Sequence, residues 1–129
     1  MITSLPLTAL LVRDYDEAKE FYCEKLGFDL VEDTPLVGGK RWVRLRTPGG
    51  GGAELLLSRA VDAKQRAVVG NQAGGRVLFF FDSDDVQADY WAFRAKGVVF
   101  SQTPIKADGR TVAVLKDLYG NRIDRIQRN

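Results

Sequence analysis

The first part of the chain alternates apolar stretches of strand length with one helical pattern. The stretch Leu7–Arg13 is mostly apolar and as short as a typical strand. Asp14 and Glu17 have the spacing of a helix-capping box, in which acidic side chains bind the free N–H groups of the first turn. Gly27 stands where a glycine commonly ends such a helix. Three more strands are predicted after it, at Phe28–Glu32, Arg41–Arg46 and Ala53–Ser58.

The second part of the chain repeats this order of elements. Arg76–Asp82 is an apolar stretch of strand length, and Asp84 and Asp85 follow it as capping residues of a second helix. Apolar positions then recur at helical spacing until Gly97 closes the helix. The buried stripe predicted for this helix is Val86, Tyr90 and Phe93. The next three strands are predicted at Val98–Gln102, Thr111–Lys116 and Arg122–Gln127.

Two copies of a strand–helix–three-strand unit predict an α+β fold. We place the halves at about residues 5–58 and 75–128, joined by a connector at 59–74 that is helical in part. A chain of 129 residues has a common size for a single domain and can bury a core without disulfides. Both halves are therefore expected to belong to one domain.

Alternation within the strands divides their side chains between two faces. One face is almost wholly apolar, which predicts that it packs under the two helices. It carries Thr8, Leu10, Val12, Leu55, Leu57, Val77, Phe79, Phe81 and Ile123. The other face mixes apolar side chains with charges, as the lining of a small-molecule pocket does. It carries Leu7, Ala9, Leu11, Glu54, Leu56, Ser58, Arg76, Leu78, Phe80, Asp82, Arg122, Asp124 and Ile126.

Composition limits the chemistry that such a pocket can carry. The chain has no histidine, and its one cysteine, Cys23, lies in a predicted helix, where we expect a small semi-buried side chain and not a nucleophile. Its 19 basic and 17 acidic residues are interspersed, without the basic patch of a nucleic-acid-binding protein. No apolar run is long enough for a membrane helix, and the N-terminal segment has no signal-peptide pattern, so we expect a cytoplasmic protein.

Short motifs follow one another in a distinctive order along nearly the whole chain. They are Leu11-Val12-Arg13-Asp14, Glu20-Phe21-Tyr22, Lys25-Leu26-Gly27-Phe28, Gly74-Gly75-Arg76-Val77, Thr111-Val112-Ala113-Val114 and Lys116-Asp117-Leu118-Tyr119-Gly120-Asn121. This order resembles the vicinal oxygen chelate superfamily, which includes glyoxalase I, extradiol dioxygenases and bleomycin-resistance proteins. The resemblance implies two βαβββ modules that form curved mixed sheets around a central cup. It does not identify the reaction, because this fold hosts several.

In metal-using members of that superfamily, four strand positions point into the cup and hold a metal ion through His, Glu or Gln. The resemblance places these positions on Leu7, Glu54, Arg76 and Asp124, with Leu78 in place of Arg76 if the second half has a one-residue insertion. Leucine cannot coordinate a metal, and arginine would repel one. No cofactor, no conventional transition-metal site and no His-dependent extradiol dioxygenase are therefore expected. The residual carboxylates Glu54 and Asp124 could still hold a hard divalent metal weakly.

Charged side chains on the pocket face need partners, because partly buried carboxylates must be paired or shift their pKa upward. We expect Arg76 to form charge-assisted hydrogen bonds with Glu54, Asp124 or both. Arg76 then either belongs to an ion network that holds the shape of the cup or anchors a substrate carboxylate. Trp42 shares a strand face with Arg44 and Arg46. These three side chains either rim the pocket or form an ordinary exposed strand face with one aromatic residue. The predicted ligand-binding residues are Leu7, Trp42, Glu54, Arg76, Leu78 and Asp124.

Three functions fit this pattern. The first is a small-molecule-binding protein of the bleomycin-resistance type, without a transition metal, whose ligand is neutral or anionic because the net charge of the chain is +2. The second is a glyoxalase-like lyase or isomerase that uses Glu54 as its catalytic base. The third is a structural or regulatory homodimer whose pocket has no chemistry. A homodimer is expected in any case, since family members often pair chains to cover open sheet edges.

Overall fold

The structure, a computed structural model, describes residues 1–128 and divides the chain into two compact units. The first unit ends at Val69, and the second begins at Gly70. Each unit contains one four-stranded mixed sheet and at least one helix, which confirms the predicted α+β class and agrees with two βαβββ modules. No helix within residues 1–128 combines the length and the apolar character needed to span a bilayer.

The first unit has the predicted order of strand, helix and three strands, followed by a short helix. Its elements are β1 (Leu7–Val12), α1 (Tyr15–Glu20), a π-helical turn (Phe21–Lys25), β2 (Asp29–Pro35), a 3-10 turn (Val37–Gly39), β3 (Arg41–Arg46), β4 (Glu54–Arg59) and α2 (Ala63–Val68). The strand order in the sheet is β1-β4-β3-β2. Strand β1 runs parallel to β4, and the other neighbours are antiparallel.

Two local signals start and end the first helical segment as predicted. The Asp14 side chain accepts a hydrogen bond from the backbone N–H of Glu17 at 2.9 Å, so the cap forms. Gly27 has φ +81°, a left-handed conformation that glycine adopts without a steric penalty. The chain therefore leaves the helix at this glycine and returns to the sheet as β2.

The apolar face of the first sheet forms the core of the unit. Its fully or almost fully buried residues are Leu10, Val12, Val43, Leu45, Leu55 and Leu57, none of them more than 3% exposed. The helical segment adds the buried side chains of Ala18, Tyr22 and Leu26. Burying one large apolar side chain contributes about 1.5–3 kcal/mol. The buried side chains therefore stabilise the sheet from its apolar face.

The second unit has the same order of elements. They are β5 (Val77–Asp82), α3 (Val86–Ala95), β6 (Val99–Ala107), β7 (Arg110–Lys116) and β8 (Arg122–Arg128). The strand order is β5-β8-β7-β6, with β5 parallel to β8. The Asp85 side chain caps α3 by accepting from the N–H of Ala88 at 3.0 Å. Val86, Tyr90 and Phe93 are buried, so the predicted helical stripe is confirmed.

Two strands run further than the sequence pattern predicts. Strand β2 extends to Pro35, and β6 extends through Pro104 to Ala107. Both lie at the edge of their sheets, where a residue without an N–H group disturbs the hydrogen-bond ladder least. Strand β6 therefore continues past its proline, and β2 includes Pro35 as its last residue.

Strand β5 departs from the predicted alternation of side chains. Val77 and Phe79 pair with consecutive residues of β8, so Leu78 lies in a bulge. Phe79 keeps its predicted place on the core face of the sheet. Beyond the bulge, Phe80 stands opposite Asp124 on the other face.

A network of ion pairs joins α1 to the edge of the first sheet. Asp33 on β2 accepts hydrogen bonds from Arg41 Nη2 at 2.6 Å and from Lys19 Nζ at 2.9 Å. Arg41 also donates to Asp16 on the helix at 2.9 Å. The hydrogen bonds from Arg41 and then Lys19 lower the pKa of Asp33 to about 2. The network thus stabilises the helix against the strand whenever Asp33 is charged.

Replacing Asp33 by asparagine should lower the free energy of unfolding at neutral pH by about 2 kcal/mol, since a pKa lowered from 3.8 to about 2 corresponds to that difference. The contribution of the carboxylate is complete above about pH 4 and is lost as the pH falls towards 2. The variant should therefore lose less stability than the wild type over that range. Urea unfolding at a series of pH values measures this. Asp29→Asn, at an exposed position of the same strand, is the control, and an equal response in both variants would contradict the prediction.

Candidate functional site

The open face of the first sheet, on the side opposite the buried face, brings together side chains from three strands. Leu7 on β1 stands opposite Glu54 on the parallel strand β4. Arg44 on β3 stands opposite Leu56, two residues along from Glu54, and Trp42 lies two residues before Arg44. Side chains two residues apart in a strand share a face. The register therefore places all of these residues on one partly exposed surface.

These side chains line a concave site of about 490 Å³, which we call the first-unit cavity. It is lined by Pro6, Leu7, Glu32, Trp42, Arg44, Gly52 and Glu54. Small-molecule sites in proteins commonly have volumes of roughly 300–1,000 Å³. An indole and a leucine side chain can contact an apolar ligand body, and the charged groups can bind a polar end.

Arg44 joins the two carboxylates of the first-unit cavity. Its Nη1 donates to Glu54 Oε1 at 2.5 Å, and its Nε donates to Glu32 Oε1 at 3.1 Å. These bonds, first to Glu32 and then to Glu54, raise the pKa of the guanidinium. Thr34 Oγ1 donates to the second oxygen of Glu32 at 2.9 Å. Within residues 1–128, Oε2 of Glu54 accepts no hydrogen bond, so this oxygen remains available to a ligand donor.

The structure gives Glu54 a partner that the sequence pattern did not predict. The pattern predicted Arg76 as the partner of Glu54, of Asp124 or of both, whereas the structure pairs Glu54 with Arg44. Strand β3 is the antiparallel neighbour of β4, and neighbouring strands are close enough for long side chains to meet on a shared face. The sequence held one signal for this pair, because Arg44 shares the strand face of Trp42. Which strands are neighbours, however, cannot be read from the local pattern.

Three of the six predicted ligand-binding residues line the first-unit cavity. They are Leu7, Trp42 and Glu54. Of the other three, Arg76 is exposed and lines a cleft of the second unit. Leu78 lies in the bulge of β5, and Asp124 lies on the open face of the second sheet. Arg44, for which a place on the pocket rim was one of two alternatives, also lines the cavity, and Glu32 is a lining residue that the sequence pattern did not indicate.

Asp124 is a half-buried residue with one buried carboxylate oxygen that has no hydrogen-bond partner within the described part of the chain. It stands between Phe80 of β5 and Val114 of β7. Its Oδ1 is buried and accepts no hydrogen bond within residues 1–128, and burial raises the pKa of the carboxyl group. An unsatisfied buried acceptor costs about 1–3 kcal/mol. A ligand hydroxyl or N–H group that reached this oxygen would recover part of that free energy.

The donor set at the positions implied by the resemblance does not fit a transition-metal ion. Within residues 1–128, no three His, Cys, Asp or Glu side chains lie together in a group that could hold an ion. Leu7 has no donor atom, and Glu54 is bound to Arg44, whose positive charge opposes a metal ion beside it. A stoichiometric transition metal retained by the purified protein through dialysis would contradict this interpretation.

Replacing Asp124 by asparagine should stabilise the protein at neutral pH, because the buried group no longer has to be charged. Burial raises the pKa of the Asp124 carboxyl group, so ionising this group costs more in the folded than in the unfolded protein. The free energy of unfolding of the wild type therefore has its full value at low pH and falls as the pH rises through the folded-state pKa. Urea unfolding should give the variant a higher free energy of unfolding than the wild type at pH 7, with the difference shrinking in acid. Asp84→Asn, at an exposed position, should change neither value. A loss of stability at pH 7 in Asp124→Asn would refute the prediction.

Similarity to a known family extends over almost the whole chain. The family model described as Glyoxalase/Bleomycin resistance protein/Dioxygenase superfamily matches residues 4–124. An uncharacterized protein of Shewanella frigidimarina (strain NCIMB 400) is 48% identical over 130 residues, which cover 100% of this chain and 96% of that protein. The match therefore includes both units.

Two solved structures resemble this chain over its full length. The crystal structure of UcmS2 has a TM-score of 0.85 and 28% sequence identity, and the alignment covers 98% of each chain. TnmS3, an antibiotic binding protein from Streptomyces sp. CB03234, has a TM-score of 0.79 and 29% identity over 99% of this chain and 98% of its own. At least one protein with this fold is thus an antibiotic binding protein.

Proposed function

The chain belongs to the glyoxalase/bleomycin resistance protein/dioxygenase superfamily, and from that membership we propose that it binds a small organic molecule in the first-unit cavity without a transition metal. The observation that carries the proposal is a concave site of about 490 Å³ in which Trp42 and Leu7 lie beside the Arg44–Glu54 ion pair. The antibiotic-binding protein TnmS3 supports ligand capture as a function of this fold.

The cavity offers two kinds of contact. The indole of Trp42 provides a flat apolar surface on which a planar ligand can stack, and Leu7 extends that surface. The Arg44–Glu54 pair provides a fixed polar edge, at which Oε2 of Glu54 can accept from a ligand hydroxyl or N–H group. Because Arg44 already holds Glu54, the polar edge is ordered before the ligand arrives, which lowers the entropy lost on binding.

The charges of the cavity favour a neutral ligand. Glu32 and Glu54 together carry two negative charges, and Arg44 balances one of them. An anionic ligand would meet a small excess of negative charge here, although the chain as a whole is slightly basic. A neutral aromatic molecule with a hydrogen-bond donor at one end satisfies both the apolar wall and the free carboxylate oxygen.

A glyoxalase-like lyase or isomerase is the alternative function. The observation in its favour is again Oε2 of Glu54, which accepts no hydrogen bond from residues 1–128. This oxygen could take a proton from a substrate in the cavity. The remaining titratable group in the lining apart from Arg44 is Glu32, whose two oxygens are bound by Arg44 and Thr34. Binding requires only the surfaces already present, whereas turnover also needs a group that stabilises the negative charge left on the substrate, and Arg44 in the lining is already paired with Glu32 and Glu54. We therefore favour binding.

Saturable binding of a neutral polycyclic aromatic antibiotic should quench the fluorescence of Trp42. A Trp91→Phe background leaves Trp42 as the single tryptophan, and a panel of such compounds can then be titrated. Leu7→Arg places a large cation in the cavity and should abolish quenching, while Leu5→Arg, at a 75% exposed position, should not. Glu54→Gln should weaken binding about tenfold through loss of the charged acceptor.

The outcomes separate the two candidate functions. Equal quenching in Leu7→Arg and Leu5→Arg, or no saturable quenching with any compound, would refute binding in the first-unit cavity. Turnover of a bound compound that Glu54→Gln abolishes, with affinity retained, would favour the lyase or isomerase.

We also infer that the protein forms a homodimer. Three large apolar side chains on the open face of the second sheet are strongly exposed: Phe80 at 65%, Val99 at 61% and Ile105 at 51%. Exposed apolar patches and unpaired sheet edges commonly become interfaces between copies of a chain. Light scattering at micromolar concentration should give twice the 14.4 kDa chain mass, and Phe80→Ser should shift it towards the monomer. A strictly monomeric wild type would rule the dimer out.

A further inference from the structure

The second unit contains a concave site of its own, of about 170 Å³, beside the turn between β7 and β8. We call it the basic cleft. Its lining includes Asn71, Arg76, Lys116 and Arg122, together with the glycines at positions 70 and 120. One water occupies about 30 Å³ in the liquid, so the cleft has room for a small anion and several waters.

The turn that borders the basic cleft is held rigidly by a buried Asp117–Asn121 pair. Asp117 Oδ1 accepts from the backbone N–H groups of Tyr119 and Asn121, each at 2.9 Å. Asp117 Oδ2 accepts from Asn121 Nδ2 at 2.9 Å. Lys116 and Arg122, on either side of this turn, are direct partners in the β7–β8 ladder. Their backbones are therefore fixed relative to one another.

Gly70 brings a second loop against this turn. It has φ +82°, and a Cβ atom at this position would lie 1.9 Å from the carbonyl oxygen of Tyr119. Only glycine permits so close an approach of the two backbones. The loop that follows is closed by a hydrogen bond from the N–H of Arg76 to the carbonyl oxygen of Ala73 at 3.3 Å, and it ends at β5. The close packing at Gly70 thus brings Arg76 to the same cleft as Lys116 and Arg122.

Three cations therefore converge on the basic cleft without balancing ion pairs. Arg76, Lys116 and Arg122 form no ion pair with any residue from 1 to 128. Asp117 is the nearest carboxylate along the chain, and both of its oxygens accept hydrogen bonds inside the turn. Like charges directly opposite one another in a sheet are destabilising. A bound anion would remove this repulsion.

We propose that the basic cleft is a binding site for a divalent oxyanion, the phosphate monoester group of a small molecule. Two arginines supply planar N–H pairs that match the oxygens of such a group, and Lys116 adds a point charge. The Asn71 amide lines the same cleft as a further donor. Three positive charges exceed what a single carboxylate would balance, which is why the site selects a dianion. This inference concerns the second unit alone and does not rest on ligand binding in the first-unit cavity.

Titration of the ¹⁵N-labelled protein with inorganic phosphate at constant ionic strength tests the proposal. Amide resonances of residues 70–76 and 116–122 should shift saturably, and sulfate should compete at the same resonances. The double variant Arg76→Gln/Arg122→Gln should bind phosphate at least about tenfold more weakly. Lys116→Gln provides an independent second variant, and an unchanged spectrum elsewhere establishes that each variant is folded.

Arg110→Gln is the matched control. Arg110 is exposed and lies at the opposite end of β7 from Lys116, about 20 Å away at roughly 3.3 Å per residue. Arg110→Gln removes one positive charge from the second unit, as Lys116→Gln does, and should leave phosphate affinity within about twofold of the wild type. Non-saturable shifts, or an equal loss of affinity in Arg110→Gln, would reduce the effect to general electrostatics and overturn the site. Equal affinity for acetate would overturn its selectivity for a dianion.

Discussion

The parallel pairing of the first strand with the fourth in each sheet determines where the candidate side chains stand. Strand β1 pairs in parallel with β4, and β5 pairs in parallel with β8. The remaining neighbours in each sheet are antiparallel. Because side chains alternate along a strand, this pairing divides each sheet into an apolar face and an open, mixed face. It places Leu7 beside Glu54 in one unit and Phe80 beside Asp124 in the other. The core and the candidate sites are thus two consequences of the same register.

One carboxylate on each of the strands β4 and β8 faces the open side of its sheet, and the two differ in whether a cation is bound to them. Glu54 is held by Arg44 from the neighbouring strand, and its Oε2 accepts no hydrogen bond from residues 1–128. Asp124 has a buried oxygen that likewise has no hydrogen-bond partner in this described part of the chain, and burial raises its pKa. The first arrangement is stable by itself, while the second gains most from a bound donor. Neither has the imidazole or thiolate neighbours on which transition-metal chemistry in proteins usually depends.

Three sets of charged side chains illustrate how different their environments are. Asp33 and its partners stabilise a helix against a sheet edge, Arg44 orders the wall of the first-unit cavity, and the cations of the basic cleft form no ion pair with residues 1–128. The net charge of the whole chain, +2, distinguishes none of them. Within a fold that hosts many functions, the recognition of ligands depends on these local balances and on the apolar surface beside them.

The sequence by itself determined the elements and the fold class, because capping residues such as Asp14, helix-ending glycines such as Gly27 and the alternation of apolar residues act over a few positions. The buried stripe of α3 follows from the same short-range rule. Only the tertiary structure decided which charges meet. Arg44 pairs with Glu54 because β3 adjoins β4, the bulge at Leu78 shifts the register of β5, and Gly70 brings Arg76 to the turn between β7 and β8. Such contacts depend on which strands are neighbours and on how closely their backbones approach. Neither of these can be read from the spacing of residues along the chain.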